Sequence, residues 1–261
     1  MAESTPGVTF AWRATPAGRA LVSPLLHAVA DHLFSSRDVT APGVHTPEYA
    51  TVGRAFGVEA TDVVRVRQVH GCAILMVREG DEVPSGVEAD AIVSTDPHRV
   101  VLVRVADCVP LLFADRQGRA VAAVHAGWRG TAAGMAGCVV EAFAALGVAP
   151  ADLIVAIGPS IGPCCYQVDD AVREAFGAHG HAAAAWFTAD ADAPGRWRLD
   201  LWTANRAQLE AHGVPASSIH VAQACTADDP GAWYSHRTQG AEAGRMVAAI
   251  RLRGRGGPQG R

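Results

Sequence analysis

The sequence predicts an α/β fold, because strand-like and helix-like segments alternate along most of the chain. Short runs of aliphatic and β-branched residues, such as 100–105 and 153–157, are bounded by glycine, proline and polar residues. Two longer segments, 131–146 and 201–212, have the length of helices. With 261 residues, 49% of them hydrophobic, the chain can bury a sizeable core. We expect a single domain over residues 1–253.

The expected elements follow one another with short connections. Nine strands are predicted, over residues 63–67, 73–77, 89–94, 100–105, 110–114, 120–124, 153–157, 219–221 and 246–252. Three helices are predicted, over residues 131–146, 168–176 and 201–212. Thr131 is the expected N-cap of the first helix and Gly147 its stop signal. The turn at 115–118 predicts a hairpin, and the Gly- and Arg-rich tail at 254–261 is expected to be disordered.

The charged residues exclude several classes of enzyme and partner. All 22 basic residues are arginines, which excludes a Schiff-base lysine, a pyridoxal-phosphate enzyme and a Walker-type phosphate loop. The formal net charge is −4, and the basic residues are scattered outside the C-terminal tail. We therefore expect no nucleic-acid partner.

Localisation follows from features that the sequence lacks. No apolar run approaches the roughly 18–20 residues needed to span a bilayer. The N-terminus lacks the apolar core and cleavage site of a secretory signal. The six unevenly spaced cysteines are typical of reduced thiols. We expect a cytoplasmic monomer or homodimer with no membrane partner.

Three metal-ligating side chains, those of His70, Cys108 and His125, stand at the ends of predicted strands. The hairpin at 115–118 should bring Cys108 and His125 to the same end of the sheet. Two imidazoles and one thiolate can hold zinc and leave one tetrahedral position open, as in catalytic zinc sites. The same donors could bind a single copper ion. A multicopper cluster is not expected, because only 179–181 has the His-X-His pattern.

A different chemistry is also compatible with these residues. Cys108 and His125 could act as nucleophile and base of a cysteine hydrolase. Asp107 could then orient the imidazole, support the metal ligands, or simply bond to the backbone of its turn. A bound metal discriminates between the two schemes, since a thiolate that holds zinc is not free to attack.

The segment after His125 predicts an anion site. Gly127 and Gly130 allow a close backbone approach, and the helix expected to follow would present free N–H groups at its positive end. Arg129 could add a bidentate phosphate contact. The alternative is a tight turn in which Arg129 is solvated.

Several motifs in a fixed order resemble the YfiH-like family, long labelled polyphenol oxidase or laccase and later recognised as purine nucleoside phosphorylases. They are RQVHG at 67–71, EADAIVS at 88–94, ADCVPLLFAD at 106–115, VHAGWRGTAAG at 124–134, IGPSIGPCCYQV at 157–168, CT at 225–226, WYSHR at 233–237 and GR at 244–245. The resemblance covers about residues 33–252. It implies a four-layer α/β/β/α fold with two mixed sheets, related to cysteine deamidase toxins. It also implies that His70, Cys108 and His125 ligate zinc.

The resemblance also suggests residues for binding the substrate. Ser36 and Arg37 match a Ser-Thr-Arg segment of the family, and Arg237 matches the first of two consecutive arginines, the second being replaced by Thr238. We expect Ser36, Arg37, Arg129 and Arg237 to bind substrate or phosphate. Gln167 stands where the family usually has a glutamate. If that glutamate takes part in catalysis elsewhere in the family, proton transfer here must use another group.

By this resemblance, the expected function is that of a zinc-dependent purine nucleoside phosphorylase acting on adenosine, inosine and methylthioadenosine, with adenosine deaminase activity. Asp107, Cys108 and His125 are the expected catalytic residues, and Asp107 and His236 are candidates for protonating the departing purine. One alternative is a zinc-dependent amidase that edits muramyl-amino-acid precursors of peptidoglycan. A second is a copper-dependent polyphenol oxidase, and a third is a metal-binding protein without catalysis.

Overall fold

Two mixed six-stranded sheets form the centre of the molecule. The computed structural model describes residues 9–40 and 48–253, so the expected tail at 254–261 lies outside the described residues. The first sheet has the spatial order β1 (Ala11–Thr15), β2 (Gly18–Val22), β3 (Ala30–Ser35), β15 (Met246–Leu252), β7 (Val100–Val105) and β4 (Val63–Val64). The second has the order β14 (Ile219–Val221), β10 (Leu153–Ile157), β8 (Val109–Asp115), β9 (Val121–Ala126), β6 (Ala91–Ser94) and β5 (Ile74–Val77).

The remaining elements are a small sheet and short helices. The small sheet has the order β11 (Gln167–Val168), β13 (Trp197–Leu199) and β12 (Phe187–Ala189). The helices are α1 (Pro24–His27), α2 (Tyr49–Phe56), α3 (Trp128–Ala132), α4 (Met135–Ala145), α5 (Asp170–Ala175), α6 (His181–Ala184), α7 (Leu201–Ala211) and α8 (His236–Gln239). No helix within the described ranges is long and apolar enough to cross a membrane.

Alternation along the strands builds four layers. In β8, Leu111 and Phe113 pack with α4 and α7, whereas Leu112 packs against the first sheet. In β7, Val101 faces the second sheet, and Leu102 packs with α2 on the other side. Successive strand residues point to opposite faces, so each sheet has two apolar faces to cover. The result is the expected α/β/β/α architecture with two large mixed sheets.

Six of the nine predicted strands are found within one residue of their predicted ends: β7, β10, β14 and β15 match fully, β5 starts one residue late, and β8 extends one residue further at each end. The predicted hairpin is also present, because β8 and β9 pair antiparallel around the 115–118 turn. The strand predicted over 63–67 was too long. Its regular pairing ends at Val64, and beyond it only an isolated bridge joins Arg67 to Glu88.

The helix predicted over 131–146 is instead two helices. Gly134 has φ +81°, a left-handed conformation that glycine adopts readily, and it separates α3 from α4. Thr131 is therefore not an N-cap; it lies inside α3, where its hydroxyl accepts a hydrogen bond from Asn205 at 3.1 Å. Gly147, with φ +76°, does follow the end of α4.

The helix predicted over 168–176 begins later than expected. Val168 belongs to β11, and the Asp169 carboxylate caps α5 by accepting the Val172 N–H at 3.1 Å. Aspartate is a preferred N-cap because its side chain satisfies a free backbone donor of the first turn.

Candidate metal centre

His70 lies in the loop between β4 and β5 and is held there by Asp90, at the start of β6. The fully buried Asp90 carboxylate accepts the backbone N–H groups of His70 at 2.9 Å and Gly71 at 2.7 Å. His70 has φ +61°, a conformation that non-glycine residues rarely adopt and that clusters at functional sites. The Asp90 contacts stabilise this conformation and fix the position of the imidazole.

Cys108 lies between β7 and β8, directly after a second residue of positive φ. Asp107 has φ +83°, and its carboxylate accepts the Thr226 hydroxyl at 2.7 Å and the Arg237 backbone N–H at 2.6 Å. These two hydrogen bonds tie the turn to distant loops. Asp107 therefore positions the Cys108 sulfur from the adjacent residue.

His125 is a buried residue near the end of β9. It pairs with Pro110 of β8, so the hairpin brings it beside Cys108, as the turn signal predicted. Its Nδ1 hydrogen-bonds to Asp90 at 2.8 Å. Nε2 is thereby left for a metal or a thiol, an arrangement common for histidines that ligate zinc.

The three side chains converge at one point. One nitrogen of His70, one nitrogen of His125 and the Cys108 sulfur all lie within 4.8 Å of one another. The two imidazole rings are nearly perpendicular, at 80°, with centroids 4.8 Å apart. Zinc bonds of about 2.0–2.3 Å place tetrahedral donors about 3.5 Å apart. Small side-chain rotations would therefore suffice to close these donors around an ion.

The charge state of Cys108 suits a metal ligand, whereas His125 must lose a proton before its Nε2 can bind an ion. Burial raises the pKa of Cys108, but hydrogen bonds and charge from His125 and His70 outweigh it and lower the pKa to about 6. Burial lowers the pKa of His125, but its hydrogen bonds to Asp90 and Cys108 outweigh this and raise the pKa to about 9. The thiolate is the form of cysteine that binds metals and also the form that attacks as a nucleophile.

Gly127 leaves room for these donors. A Cβ atom at this position would lie 2.9 Å from the Cys108 sulfur and 3.3 Å from Cδ2 of His70. A larger residue would therefore push into the donor cluster. The donor set and the open space beside it both fit a three-coordinate protein site for zinc.

A cavity of about 600 Å³ opens over the three donors. This volume is typical of sites for small molecules. Its lining residues are Gln68, His70, Arg104, Ala106, Asp107, Cys108, His125, Trp128, Arg129, Tyr166, His236, Arg237 and Arg245. Four of them are arginines and one is an acid, so the cavity favours an anionic ligand. Among the described residues, no carboxylate forms an ion pair with Arg104, Arg129 or Arg237 within 4 Å.

A larger depression, of about 710 Å³, lies beside α2 and is lined by Arg54, Glu59, Asp62 and His98 among others. In the described part of the chain, no group of three metal-ligating atoms converges there. The cavity over the His/Cys/His group is therefore the stronger candidate for the functional site.

Comparison with known proteins identifies the family. The family model described as multi-copper polyphenol oxidoreductase laccase matches residues 41–253. The chain belongs to this family. This confirms the resemblance inferred from the motifs, and the matched region contains all three candidate ligands and all four arginines of the cavity lining.

Curated relatives of this laccase-like family carry other names. The chain is 38% identical to purine nucleoside phosphorylase YlmD of Geobacillus stearothermophilus, over 70% of this chain and 69% of that protein. It is 42% identical to purine nucleoside phosphorylase PA4543 of Pseudomonas aeruginosa, over 71% of this chain and 72% of that protein. It is 36% identical to adenosine deaminase RL5 from an unknown prokaryotic organism, over 77% of this chain and 79% of that protein.

Solved structures of the family have the same fold. Bacillus licheniformis YfiH matches with a TM-score of 0.80 and 28% identity, over 92% of this chain and 98% of that chain. Geobacillus stearothermophilus YlmD matches with a TM-score of 0.77 and 30% identity, over 90% of this chain and 96% of that chain.

Arg129 and Arg237, two of the residues predicted to bind phosphate, line the cavity of this laccase-like family member. The Arg129 guanidinium lies 4.3 Å from the centroid of the Trp128 ring, and that of Arg237 lies 5.0 Å from the centroid of Tyr166. The long helix on which the anion site was expected is interrupted, because α3 has only five residues. What α3 brings to the cavity is the Arg129 side chain.

Ser36 and Arg37, the other two, do not line this cavity. Ser36 is fully buried, and its hydroxyl accepts the Asp38 N–H at 3.3 Å. The Arg37 guanidinium lies 4.7 Å from the centroid of the Tyr234 ring and donates to the Pro230 carbonyl. Their positions do not support a direct contact with a ligand in the cavity.

Two positions that depart from the family pattern are now placed. Gln167 donates through Nε2 to Asp190 at 2.8 Å, and its backbone carbonyl accepts from Arg237 at 2.8 Å. Thr238 lies in α8, where its N–H bonds to the Ser235 hydroxyl at 3.4 Å. Neither side chain lines the cavity. Gln167 therefore does not take the place of the family's glutamate there, and Thr238 does not take the place of its second arginine.

Asp90 and several lining residues were not predicted from the sequence. Asp90 stands inside the EADAIVS motif, which was recognised as a family segment without a role for its aspartate. Tyr166 and Arg245 likewise lie within or beside recognised motifs. Gln68 exchanges two hydrogen bonds with the backbone of Arg104, at 2.8 and 2.9 Å. A polar residue next to a candidate ligand is the signal that points to such supporting groups.

Proposed function

We propose that this protein is a zinc-dependent purine nucleoside phosphorylase acting on adenosine, inosine and methylthioadenosine. The observation that carries the proposal is a three-donor metal site and an arginine-rich lining in one cavity of about 600 Å³. Phosphorolysis needs an anion site beside a nucleoside site, and this lining is suited to bind an anion. The names of the relatives support the same class of reaction.

His70, Cys108 and His125 would hold the zinc. When bound, zinc supplies a Lewis acid with an open position that can polarise a substrate oxygen. Copper fits the same nitrogen and sulfur donors, so analysis of the bound metal is part of the test. Asp90 would keep the Nδ1 of His125 occupied, which leaves Nε2 for the ion.

Arginines would hold the phosphate. In phosphorolysis, a phosphate oxygen forms a bond to C1′ of the ribose while the bond from C1′ to the purine nitrogen breaks. Arg129 of α3 and Arg237 of α8 both line the cavity, and guanidinium groups bind phosphate through paired, charge-assisted hydrogen bonds. They would bind phosphate in the ground state and orient it toward the sugar.

The departing purine must take up a proton, and the geometry favours His236 over Asp107 as its source. Both carboxylate oxygens of Asp107 already accept hydrogen bonds, from Thr226 and from the Arg237 backbone. His236 lines the cavity and hydrogen-bonds through Nδ1 to the Gly240 carbonyl at 2.9 Å, which leaves Nε2 to exchange a proton.

A second candidate mechanism rests on the Cys108, His125 and Asp90 contacts. These residues have the order of nucleophile, base and orienting carboxylate found in cysteine hydrolases. Such a mechanism would serve the amidase alternative and would not need His70. Adenosine deamination, the activity named for RL5, is a further reaction to be tested at the same site.

The deciding experiment incubates purified, metal-analysed protein with adenosine, with and without phosphate, and separates the products. Adenine that forms only with phosphate supports phosphorolysis, and inosine that forms without phosphate supports deamination. Absence of both products would exclude the purine proposal. Chelation followed by reloading with zinc should abolish and restore activity, whereas a cysteine hydrolase would remain active without metal.

Cys108→Ala is the matching variant, because it removes the only sulfur of the donor group. We expect it to lose both the metal and the activity. Cys138→Ala on α4 is the matched control and should retain both. Activity retained in Cys108→Ala would contradict the metal assignment.

A further inference from the structure

A second group of metal-ligating atoms lies outside the site described above. The sulfur atoms of Cys164, Cys165 and Cys225 lie within 4.8 Å of one another. Cys164 and Cys165 are in the loop after β10, and Cys225 is in the loop after β14. The two loops are joined because the Ser160 N–H donates to the Ala224 carbonyl, at 3.1 Å. The arrangement is therefore tied to the backbone of both loops.

The backbone around Cys225 suits a charged or metal-bound sulfur. The Gly162 N–H donates to the Cys225 sulfur at 3.2 Å. A Cβ atom on Gly162 would lie 2.7 Å from the Trp202 ring and 3.3 Å from Cβ of Cys225. A side chain at this position would therefore crowd Trp202 and Cys225, and N–H donors to sulfur stabilise negative charge on it.

The surroundings of Cys164 and Cys165 disfavour their ionised forms. Burial and the neighbouring sulfurs raise the pKa of Cys164 to about 12, and burial also raises the pKa of Cys165. A cation bound between the sulfurs would favour the thiolate forms. Cys164 is exposed, so an ion can reach the group from solvent.

We propose that Cys164, Cys165 and Cys225 form a second metal site, which takes a soft cation with a preference for thiolates, such as Cu(I), in three-sulfur coordination. Soft sulfur ligands select such ions. Structural zinc sites rich in cysteine almost always have four protein ligands. In the described part of the chain, no fourth histidine, cysteine or carboxylate joins this group.

The test uses the full chain carrying Cys108→Ala, which removes the sulfur of the first site. The protein, reduced with a reagent that contains no thiol, is titrated with Cu(I) against a chromogenic chelator under anaerobic conditions. We expect one equivalent of Cu(I) to be retained, with three sulfur neighbours in its X-ray absorption spectrum. Adding Cys225→Ser, or separately the exposed Cys164→Ser, should lose that equivalent.

Cys138→Ser is the matched control, because its thiol lies beside that of Cys72 and offers a competing pair of sulfurs. It should retain the copper. Circular dichroism checks that each variant is folded, and the exposed Cys164 position serves if Cys225→Ser does not fold. If Cys138→Ser loses the copper and Cys225→Ser or Cys164→Ser retains it, the proposal is overturned. A nitrogen or oxygen shell, or no copper bound in the Cys108→Ala protein, would overturn it as well.

Discussion

The Asp90 carboxylate lies 2.8 Å from Nδ1 of His125 and also accepts the backbone N–H of His70 at 2.9 Å. One buried carboxylate thus positions both imidazoles of the candidate metal centre. Burial raises the pKa of Asp90, but its hydrogen bonds outweigh this and lower the pKa below its usual value. The group is therefore held as an anion that orients its neighbours.

Replacing this carboxylate should weaken metal binding. We expect Asp90→Asn to lower zinc affinity about 10–100-fold, the usual cost of losing a group that orients metal ligands. Competition with a zinc indicator measures the change. Glu210→Gln, a surface substitution on α7, is the control and should bind zinc normally. An unchanged affinity in Asp90→Asn would show that the histidines are positioned by other contacts.

The arginine lining can be tested through phosphate. Losing one charge-assisted hydrogen bond costs about 1.5–3 kcal/mol, which corresponds to roughly a ten- to hundredfold change in affinity. We expect Arg129→Ala to raise the KM for phosphate by that factor, while any phosphate-independent deamination changes little. Steady-state kinetics at varied phosphate concentration distinguishes the change in the KM for phosphate from any change in deamination.

Arg37→Ala is the informative comparison for Arg129→Ala. Arg37 stacks on Tyr234 and does not line the cavity, so its removal should leave the KM for phosphate unchanged. A raised KM in Arg37→Ala, with an unchanged melting temperature, would restore the role that the Ser-Ser-Arg segment suggested.

The sequence predicted the central strands because their patterns are strong. Residues 100–105 and 153–157 are nearly continuous apolar runs, as expected for strands covered on both faces. The N-terminal strands β1, β2 and β3 were not predicted. Four of the five residues of β1 are exposed, so no core-facing pattern marks it, although the Pro16 to Gly18 turn that joins it to β2 carries a turn signal.

The convergence of the three candidate metal ligands was predicted, whereas most of their surroundings were not. His70, Cys108 and His125 stand at strand ends in recognisable motifs, and the hairpin register is a local property. The contacts of Asp107 with Thr226 and of Asp90 with His125 join residues 119 and 35 positions apart. Only the tertiary fold brings such residues together, so spacing along the chain cannot reveal them.

The stability of the fold at low pH should depend on Asp115, at the end of β8. Burial raises its pKa, but hydrogen bonds from Arg119 outweigh this and hold the pKa below the usual value. A carboxyl group with a lower pKa in the folded state stabilises the fold above its unfolded pKa of about 3.9. That contribution is lost as the pH falls through the folded value.

We therefore expect Asp115→Asn to lower the free energy of unfolding most above about pH 5, with the difference from the parent shrinking below about pH 4. Urea unfolding across this pH range measures the free energy of unfolding of the variant and of the parent. Asp228→Asn, at an exposed position, is the control and should follow the parent at every pH. A constant difference between Asp115→Asn and the parent would exclude the ion pair as its cause.

The packing of α4 on the second sheet gives the largest expected loss of stability. Phe143 is fully buried and stacks on Phe113 with ring centroids 6.0 Å apart. Phe143→Ala should lower the free energy of unfolding by about 3–5 kcal/mol, because it removes buried surface and leaves a cavity. Phe143→Leu should lower the free energy of unfolding by less, since it leaves a smaller cavity. Neither substitution reaches the arginine-lined cavity, so activity per folded molecule should be unchanged. A loss below about 1 kcal/mol for Phe143→Ala, the average for any substitution, would show that α4 contributes little to this core.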